Sequence, residues 1–125
     1  MLKQIPKILS PELVKYLMEM GHGDELVLAD ANFPAHRIGQ RVIRMDGHGV
    51  PVALEAILQV LPLDTYSSYQ AGLMQVVPGD SSVPVIWDEY KRLLEESHPG
   101  AAIKEFERFE FYEQAKDAYL VIQTG

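Results

Sequence analysis

Four side chains in this sequence stand where proton transfer or the gripping of a polyol could be built. His22 lies in Gly21-His22-Gly23-Asp24. An imidazole, with an ordinary pKa of about 6.5, gives and takes protons near neutral pH, and the flanking glycines let a ligand approach the backbone. Asp30 follows the apolar run Leu26-Val27-Leu28-Ala29. It therefore ends a strand, and in open α/β sheets ligands bind outside the carboxyl ends of the strands. Arg108 and Tyr112 fall in Arg108-Phe109-Glu110-Phe111-Tyr112-Glu113. On a helix they share one face, and a guanidinium fork with a phenol one turn away suits a polyol. Each has a plainer use as well. His22 is then a polar loop residue, Asp30 a cap for the turn after it, and Phe109 and Tyr112 packing groups beside a surface ion pair of Arg108.

Composition removes several classes of function. Eleven basic residues against eighteen acidic ones leave a formal charge of −7, with no basic stripe of the kind that displaces phosphate counterions. Arg37, Arg41 and Arg44 are scattered, so nucleic acid and anionic membranes are not expected partners, and a neutral small substrate is. With no cysteine, disulfides, cysteine nucleophiles and thiolate metal sites are excluded. His22, Asp30, His36 and His48 could be gathered into a metal site, but their spacing fits no ligand motif, so no metal is expected. The glycines around His22 form neither Gly-x-x-x-x-Gly-Lys-Ser/Thr nor Gly-x-Gly-x-x-Gly, and Gly-x-Ser-x-Gly is absent. A nucleotide cofactor and an α/β-hydrolase nucleophile are not expected. Met1-Leu2-Lys3-Gln4-Ile5-Pro6 carries no long apolar region of a signal peptide, and no run approaches the ~20 residues that span a bilayer. The expected location is the cytoplasm.

The elements that must position these residues alternate. Of the 125 residues 47% are hydrophobic and 23% charged, which is the balance of one globular domain. Ser10-Pro11-Glu12 opens a helix as N-cap, first-turn proline and acidic residue at the positive end of the dipole. Leu13, Leu17 and Met20 carry its apolar stripe, and Gly21 is expected to stop it in the left-handed conformation. Residues 25–29 form a buried strand, Asn32-Phe33-Pro34 a turn, and residues 41–44 a second strand. Pro51 opens a helix with Leu54, Ile57, Leu58 and Leu61 on its stripe. Residues 71–77 read as a strand closed by Pro78-Gly79-Asp80. Pro84 opens a helix burying Trp87, Tyr90, Leu93 and Leu94, which His98-Pro99-Gly100 breaks. A strand over 102–106, a helix over 108–116 and a last strand over 118–123 complete the chain. The alternation predicts an α/β layer architecture: one domain over residues 1–125, a mixed or parallel sheet with helices on both faces.

Placed together, these segments resemble the bacterial L-fucose mutarotase family, whose sister group is D-ribose pyranase. The resemblance is carried by Ser10-Pro11-Glu12-Leu13, by residues 19–25 (Glu-Met-Gly-His-Gly-Asp-Glu) and by Asp30-Ala31-Asn32-Phe33-Pro34-Ala35-His36. Val42-Ile43-Arg44, Asp46-Gly47, Arg108-Phe109, Phe111-Tyr112-Glu113 and Thr124-Gly125 continue it in order. It implies interconversion of the anomers of a free sugar without metal or organic cofactor. His22 would be the catalytic acid/base, Asp30 and Arg108 substrate-binding groups, and Tyr112 a further contact at the pocket. Phe33-Pro34-Ala35-His36 and Arg108 favour the fucose branch, since ribose pyranases tend to carry a histidine at the position of Arg108. The resemblance also implies a homo-oligomer, a ring-shaped decamer with sites between neighbouring subunits. The family continues past its last Thr-Gly into a Tyr-x-Asn segment that lines the pocket, and no counterpart of that segment stands before Gly125. The alternatives from other classes are a monosaccharide-binding module without turnover and a hydrolase built on the histidines.

Overall fold

The computed structural model describes residues 2–76 and 85–125. Val77 at the expected end of a strand, the turn Pro78-Gly79-Asp80 and Pro84 at the expected start of a helix lie outside the described residues, and the described part of that strand already ends at Met74. Within them, α1 (Pro11–Glu19), β1 (Leu26–Ala29), α2 (Ala35–Ile38), β2 (Val42–Met45), α3 (Val50–Leu58), β3 (Ala71–Met74), α4 (Ile86–Ser97), β4 (Ile103–Phe106), α5 (Arg108–Asp117) and β5 (Leu120–Thr124) follow in order. The expected α/β alternation is present, with every strand pair parallel.

The sheet is divided. β5 lies between β1 and β2, pairing Leu26 with Leu120 on one side and Val42 with Val121 on the other. β3 and β4 form a separate two-stranded sheet. All five residues of β5 are buried. A strand covered on both faces reads as a continuous apolar run, as Leu120-Val121-Ile122 does.

Alternation along the strands sends side chains to two cores. Leu120 and Ile122, with Ile43 and Met45 of β2, meet Leu13 and Leu17 of α1 and Ala53, Ala56 and Ile57 of α3. Val121 turns to the other face, with Val27, Val42, Ala35 and Phe33. Helices thus cover both faces of the larger sheet, as expected.

Three local readings are corrected. Ser10 does cap α1, its Oγ accepting from the N–H of Leu13 at 3.1 Å, but α1 does not end on a left-handed Gly21. Met20 leaves it in extended conformation, and the positive φ falls at Gly23, at 84°. The chain therefore needs glycine two residues later, where His22 is turned outward. Of the expected stripe of α3 only Ile57 is buried, beside Ala53 and Ala56, while Leu54, Leu58 and Leu61 are half-buried. The alanines let the helix approach the sheet. The helical turn α2 was unforeseen, because four residues carry no full apolar period.

Ile122 is fully buried at the centre of the sheet. Ile122→Ala should destabilise the fold by about 2–5 kcal/mol, the cost of the lost transfer energy plus a residual cavity. Urea unfolding checks this, and a loss under about 1 kcal/mol would mean that β5 is not the packed centre of the domain.

Candidate active site

In a parallel α/β sheet the connections that precede the strands gather at one edge and those that follow them at the other. The candidate residues divide between the two edges. His22 precedes β1, and Asp30 follows it. A four-residue strand at about 3.3 Å per residue separates them by about 13 Å before their loops are counted.

At the amino edge, Nδ1 of His22 lies 3.0 Å from Oδ2 of Asp64. The carboxylate is itself fixed, since its Oδ1 accepts from the N–H of Tyr66 at 2.9 Å. The ring of Tyr66 meets the imidazole edge-on with centroids 5.3 Å apart. An ionised carboxylate only accepts hydrogen bonds, so the proton resides on Nδ1 and Nε2 becomes the exchangeable nitrogen. Among the described residues Nε2 has no partner, and the His22 side chain is 78% exposed. The N–H of Tyr66 and, next, the His22 ring hold the Asp64 carboxyl below its usual range. Sequence reasoning missed Asp64 and Tyr66. They lie some forty residues from His22 in a loop without a motif, and the only signal available was an aspartate in turn-rich surroundings.

At the carboxyl edge, Oδ1 of Asp30 accepts from the N–H groups of Asn32 at 2.9 Å and Phe33 at 3.1 Å. This is the turn-capping use of aspartate. It occupies one oxygen, and Oδ2 makes no hydrogen bond among the described residues. Asp30 thus serves the turn and still presents a carboxylate oxygen. Tyr90 of α4 faces the same region: burial foremost, and then the negative charge of Asp30, push its phenol above the ordinary value. Its expected role was core packing, yet it is only half-buried.

Arg108 begins α5, whose N-cap Glu107 accepts from the N–H groups of Phe109 and Glu110. α5 leads back to the start of β5, and its Phe111 and Tyr112 meet Phe33 beside the Asp30 turn, so Arg108 at its opening stands on the Asp30 side. Its guanidinium lies over the ring of Phe109, 4.7 Å from the centroid, and it is exposed. Tyr112 follows one turn later on the same helix. It packs edge-on against Phe33 at 5.6 Å and Phe109 at 6.5 Å. Phe33 also meets Phe111 at 6.2 Å, so the Asp30 turn and α5 are joined through an aromatic cluster. Tyr112 further lines an open cleft of about 400 Å³ with Arg37, Ile38, Phe109, Glu113 and Lys116. None of His22, Asp30 and Arg108 lines that cleft.

The histidines are not gathered. His36 lies beside Arg44, and Nε2 of His98 accepts from the N–H of Leu63 at 2.9 Å. Among the described residues no cluster of three or more His, Asp or Glu is placed to hold a metal ion. No described helix is long and apolar enough to cross a membrane.

The arrangement is therefore an oriented imidazole at one edge, and a carboxylate, a guanidinium and aromatic rings at the other. Comparison with known proteins places it. The sequence profile of the RbsD / FucU transport protein family matches residues 3–125. A human (Homo sapiens) protein named fucose mutarotase is 49% identical, over 99% of this chain and 84% of its own. FucU from Bifidobacterium longum is 57% identical and superposes with a TM-score of 0.93 over 98% of this chain and 89% of that one. The fucose mutarotase of Streptococcus pneumoniae, solved in complex with L-fucose, is 46% identical and superposes with a TM-score of 0.92 over 99% and 89%.

The His22–Asp64 pair has a direct test. Followed by NMR, the Asp64 carboxyl should titrate below its ordinary value, and His22→Ala should raise its midpoint only part of the way, because the N–H of Tyr66 is the larger cause. A folded pKa that is depressed contributes stability above the unfolded value and loses it as pH falls through the folded one. This contribution is therefore intact at neutral pH and disappears only in acid. An Asp64 midpoint unmoved by His22→Ala would mean that the pair does not form.

Proposed function

Because the chain belongs to the RbsD / FucU family, we propose that it is an L-fucose mutarotase, an isomerase that interconverts the α and β anomers of the free sugar by acid/base ring opening and closure. One observation carries the choice of substrate: the likeness to a fucose mutarotase solved with L-fucose runs over nearly the whole chain. The chemistry asks for little more than the site offers. A proton leaves the anomeric hydroxyl, another reaches the ring oxygen, and the bond between that oxygen and the anomeric carbon breaks. The aldehyde carbon then turns and the ring closes on its other face. Positioned proton transfer is worth about 10²–10⁴-fold in rate.

His22 is the proton-transferring group and acts through Nε2. Asp64 holds the tautomer and aims the ring, as a carboxylate does for any imidazole that must present one chosen nitrogen. Asp30 accepts hydrogen bonds from sugar hydroxyls on its unused oxygen, and Arg108 donates to them. Phe33 and Tyr112 offer apolar surface to the face of the ring. Water or a hydroxyl-bearing group accepts the anomeric proton.

The two edges meet only between copies of the chain. With His22 before β1 and Asp30 and Arg108 after β1 and β4, one sugar is reached by both sets when the amino edge of one subunit faces the carboxyl edge of the next. Head-to-tail contact of this kind forms a ring when its rotation closes. The assembly is a homo-oligomer, a decamer of family type, working in the cytoplasm. The large exposure of His22, Tyr66 and Phe109 in the single chain supports a site that a neighbour covers.

Exchange NMR on L-fucose at anomeric equilibrium, with D-ribose in parallel, tests the reaction. The protein should accelerate exchange between the fucose anomers, and His22→Ala should slow it at least a hundredfold while sugar binding persists. Exchange with ribose alone would assign the chain to pyranose–furanose interconversion, and binding without exchange would make it a sugar-binding module.

Mixing tests the shared site. His22→Ala and Asp30→Asn subunits, each strongly impaired but measurable alone, should regain about a quarter of wild-type activity when dissociated together and reassembled one to one, since a random arrangement leaves about one interface in four intact. No recovery in a reassembled oligomer would place both residues in one subunit's site.

A further inference from the structure

Several motifs that carry the family resemblance have no part in the chemistry above: Arg44 and Asp46 at the end of β2, His36 in α2, and the end of β5. The structure joins them into one network. Nε and Nη2 of Arg44 grip Asp46 with both prongs, at 3.0 and 2.8 Å to its two carboxylate oxygens. This leaves Nη1, which donates to Oε1 of Gln123 at 2.9 Å and lies 3.2 Å from Nε2 of His36. The carboxyl of Asp46 is held below its ordinary range chiefly by the Arg44 bond.

Gln123 is 6% exposed, and its orientation follows from its neighbours. An arginine only donates, so the amide oxygen faces Arg44 and the amide nitrogen faces the other way. There Nε2 donates to two backbone carbonyls, of Ala31 at 3.2 Å and Phe33 at 2.9 Å. The next residue, Thr124, points to the opposite face of β5 and donates from Oγ1 to the carbonyl of Ala29 at 2.9 Å. The carbonyls on both sides of Asp30 are thus each held by a side chain of the central strand. The Asp30 carboxylate then closes on the N–H groups of Asn32 and Phe33.

We propose that Arg44 and Gln123 are positioning residues of the sugar site, fixing the 29–33 loop so that Asp30 presents its unused carboxylate oxygen to the substrate. This rests on the reading of Asp30 as a sugar ligand. A loop that merely connects β1 to α2 has no need of three side-chain hydrogen bonds to its carbonyls. A ligand that must be held within a fraction of an ångström does, because small misplacements cost large factors in rate. The roles are chemically specific. Glutamate at 123 keeps an acceptor for Arg44 but has no N–H for the two carbonyls, and lysine at 44 keeps the charge but cannot form the fork with Asp46.

The test combines variants with a cycle. Gln123→Glu, Arg44→Met and the surface change Asp46→Asn should each lower kcat/KM for fucose anomer exchange, the first two about tenfold, with Arg44→Lys between Arg44→Met and wild type. In an Asp30→Asn background each should cost less than about twofold more, since a residue acting through Asp30 has nothing left to position. Amide hydrogen exchange at Asn32 and Phe33 should accelerate in Gln123→Glu while exchange along β5 does not. Losses that multiply in the Asp30→Asn background, or unchanged protection of Asn32 and Phe33, would overturn the proposal. Asp46→Asn lies at the surface and keeps the test decisive if Gln123→Glu fails to fold. If the wild-type protein turned over no sugar, the functional reading would fall by that result. The amide protection would still decide whether Gln123 holds the loop.

Discussion

The larger sheet exists only through its last strand. β1 and β2 do not touch each other as strands. Each is paired along its length with β5, which arrives more than seventy residues after β2 and some ninety after β1. No part of that sheet can close until β5 has been inserted between two elements far before it in sequence. Pairings of such separation require loop closure before they return any energy, which makes them slow to form. Local signals are accordingly strong elsewhere. The Ser10 cap, the Pro11 first turn, and the Glu107 cap of α5 preorganise helices that must wait for the strand. The same strand supplies the two cores with Leu120, Val121 and Ile122, and the carboxyl edge with Gln123 and Thr124. Packing and site geometry therefore depend on one five-residue segment.

Parallel pairing also dictates where chemistry can stand. Every connection that leads into a strand lies at one edge, and every connection that follows one lies at the other. A base on the loop before β1 and a carboxylate on the loop after it cannot converge within one copy, however the loops are adjusted, without crossing a core filled on both faces. Under the proposed reading a second copy resolves this, and the two halves of the site need only one docking geometry to be correct. For a reaction that requires proton transfer to a correctly held ring, but neither redox chemistry nor a nucleophile, that division would suffice.

Much of this was legible in the sequence, and what was missed shares one cause. Ser10-Pro11-Glu12 marked α1, the apolar run before Asp30 marked β1, and the alternation of elements marked the fold class, because each is written in consecutive residues. The motif around His22 marked a loop of chemical interest for the same reason. The true left-handed position at Gly23, the small buried face of α3 and the four-residue α2 are decided by neighbours distant in sequence. So are the partners of the site. Nothing near His22 points to Asp64, and nothing near Asp30 points to Gln123. The shared helical face expected of Arg108 and Tyr112 is present in α5, but spacing could not say what each touches: Tyr112 packs on Phe33 and Phe109, and Arg108 at the exposed first turn stacks on Phe109.

The two supports differ in what they contribute. The His22–Asp64 pair is largely exposed on the histidine side, and exposed ion pairs add little to stability. Its value is that it selects a nitrogen, which a loop histidine without a partner would leave to chance. The network at the other edge is different in kind. Gln123 is enclosed, its amide is satisfied on both ends, and removing one partner leaves a buried polar group unmet, a cost of about 1–3 kcal/mol. Stability and positioning are therefore coupled at Asp30 and nearly independent at His22. The His22 edge can remain open and adjustable, whereas the geometry of the Asp30 loop is set when β5 enters the sheet.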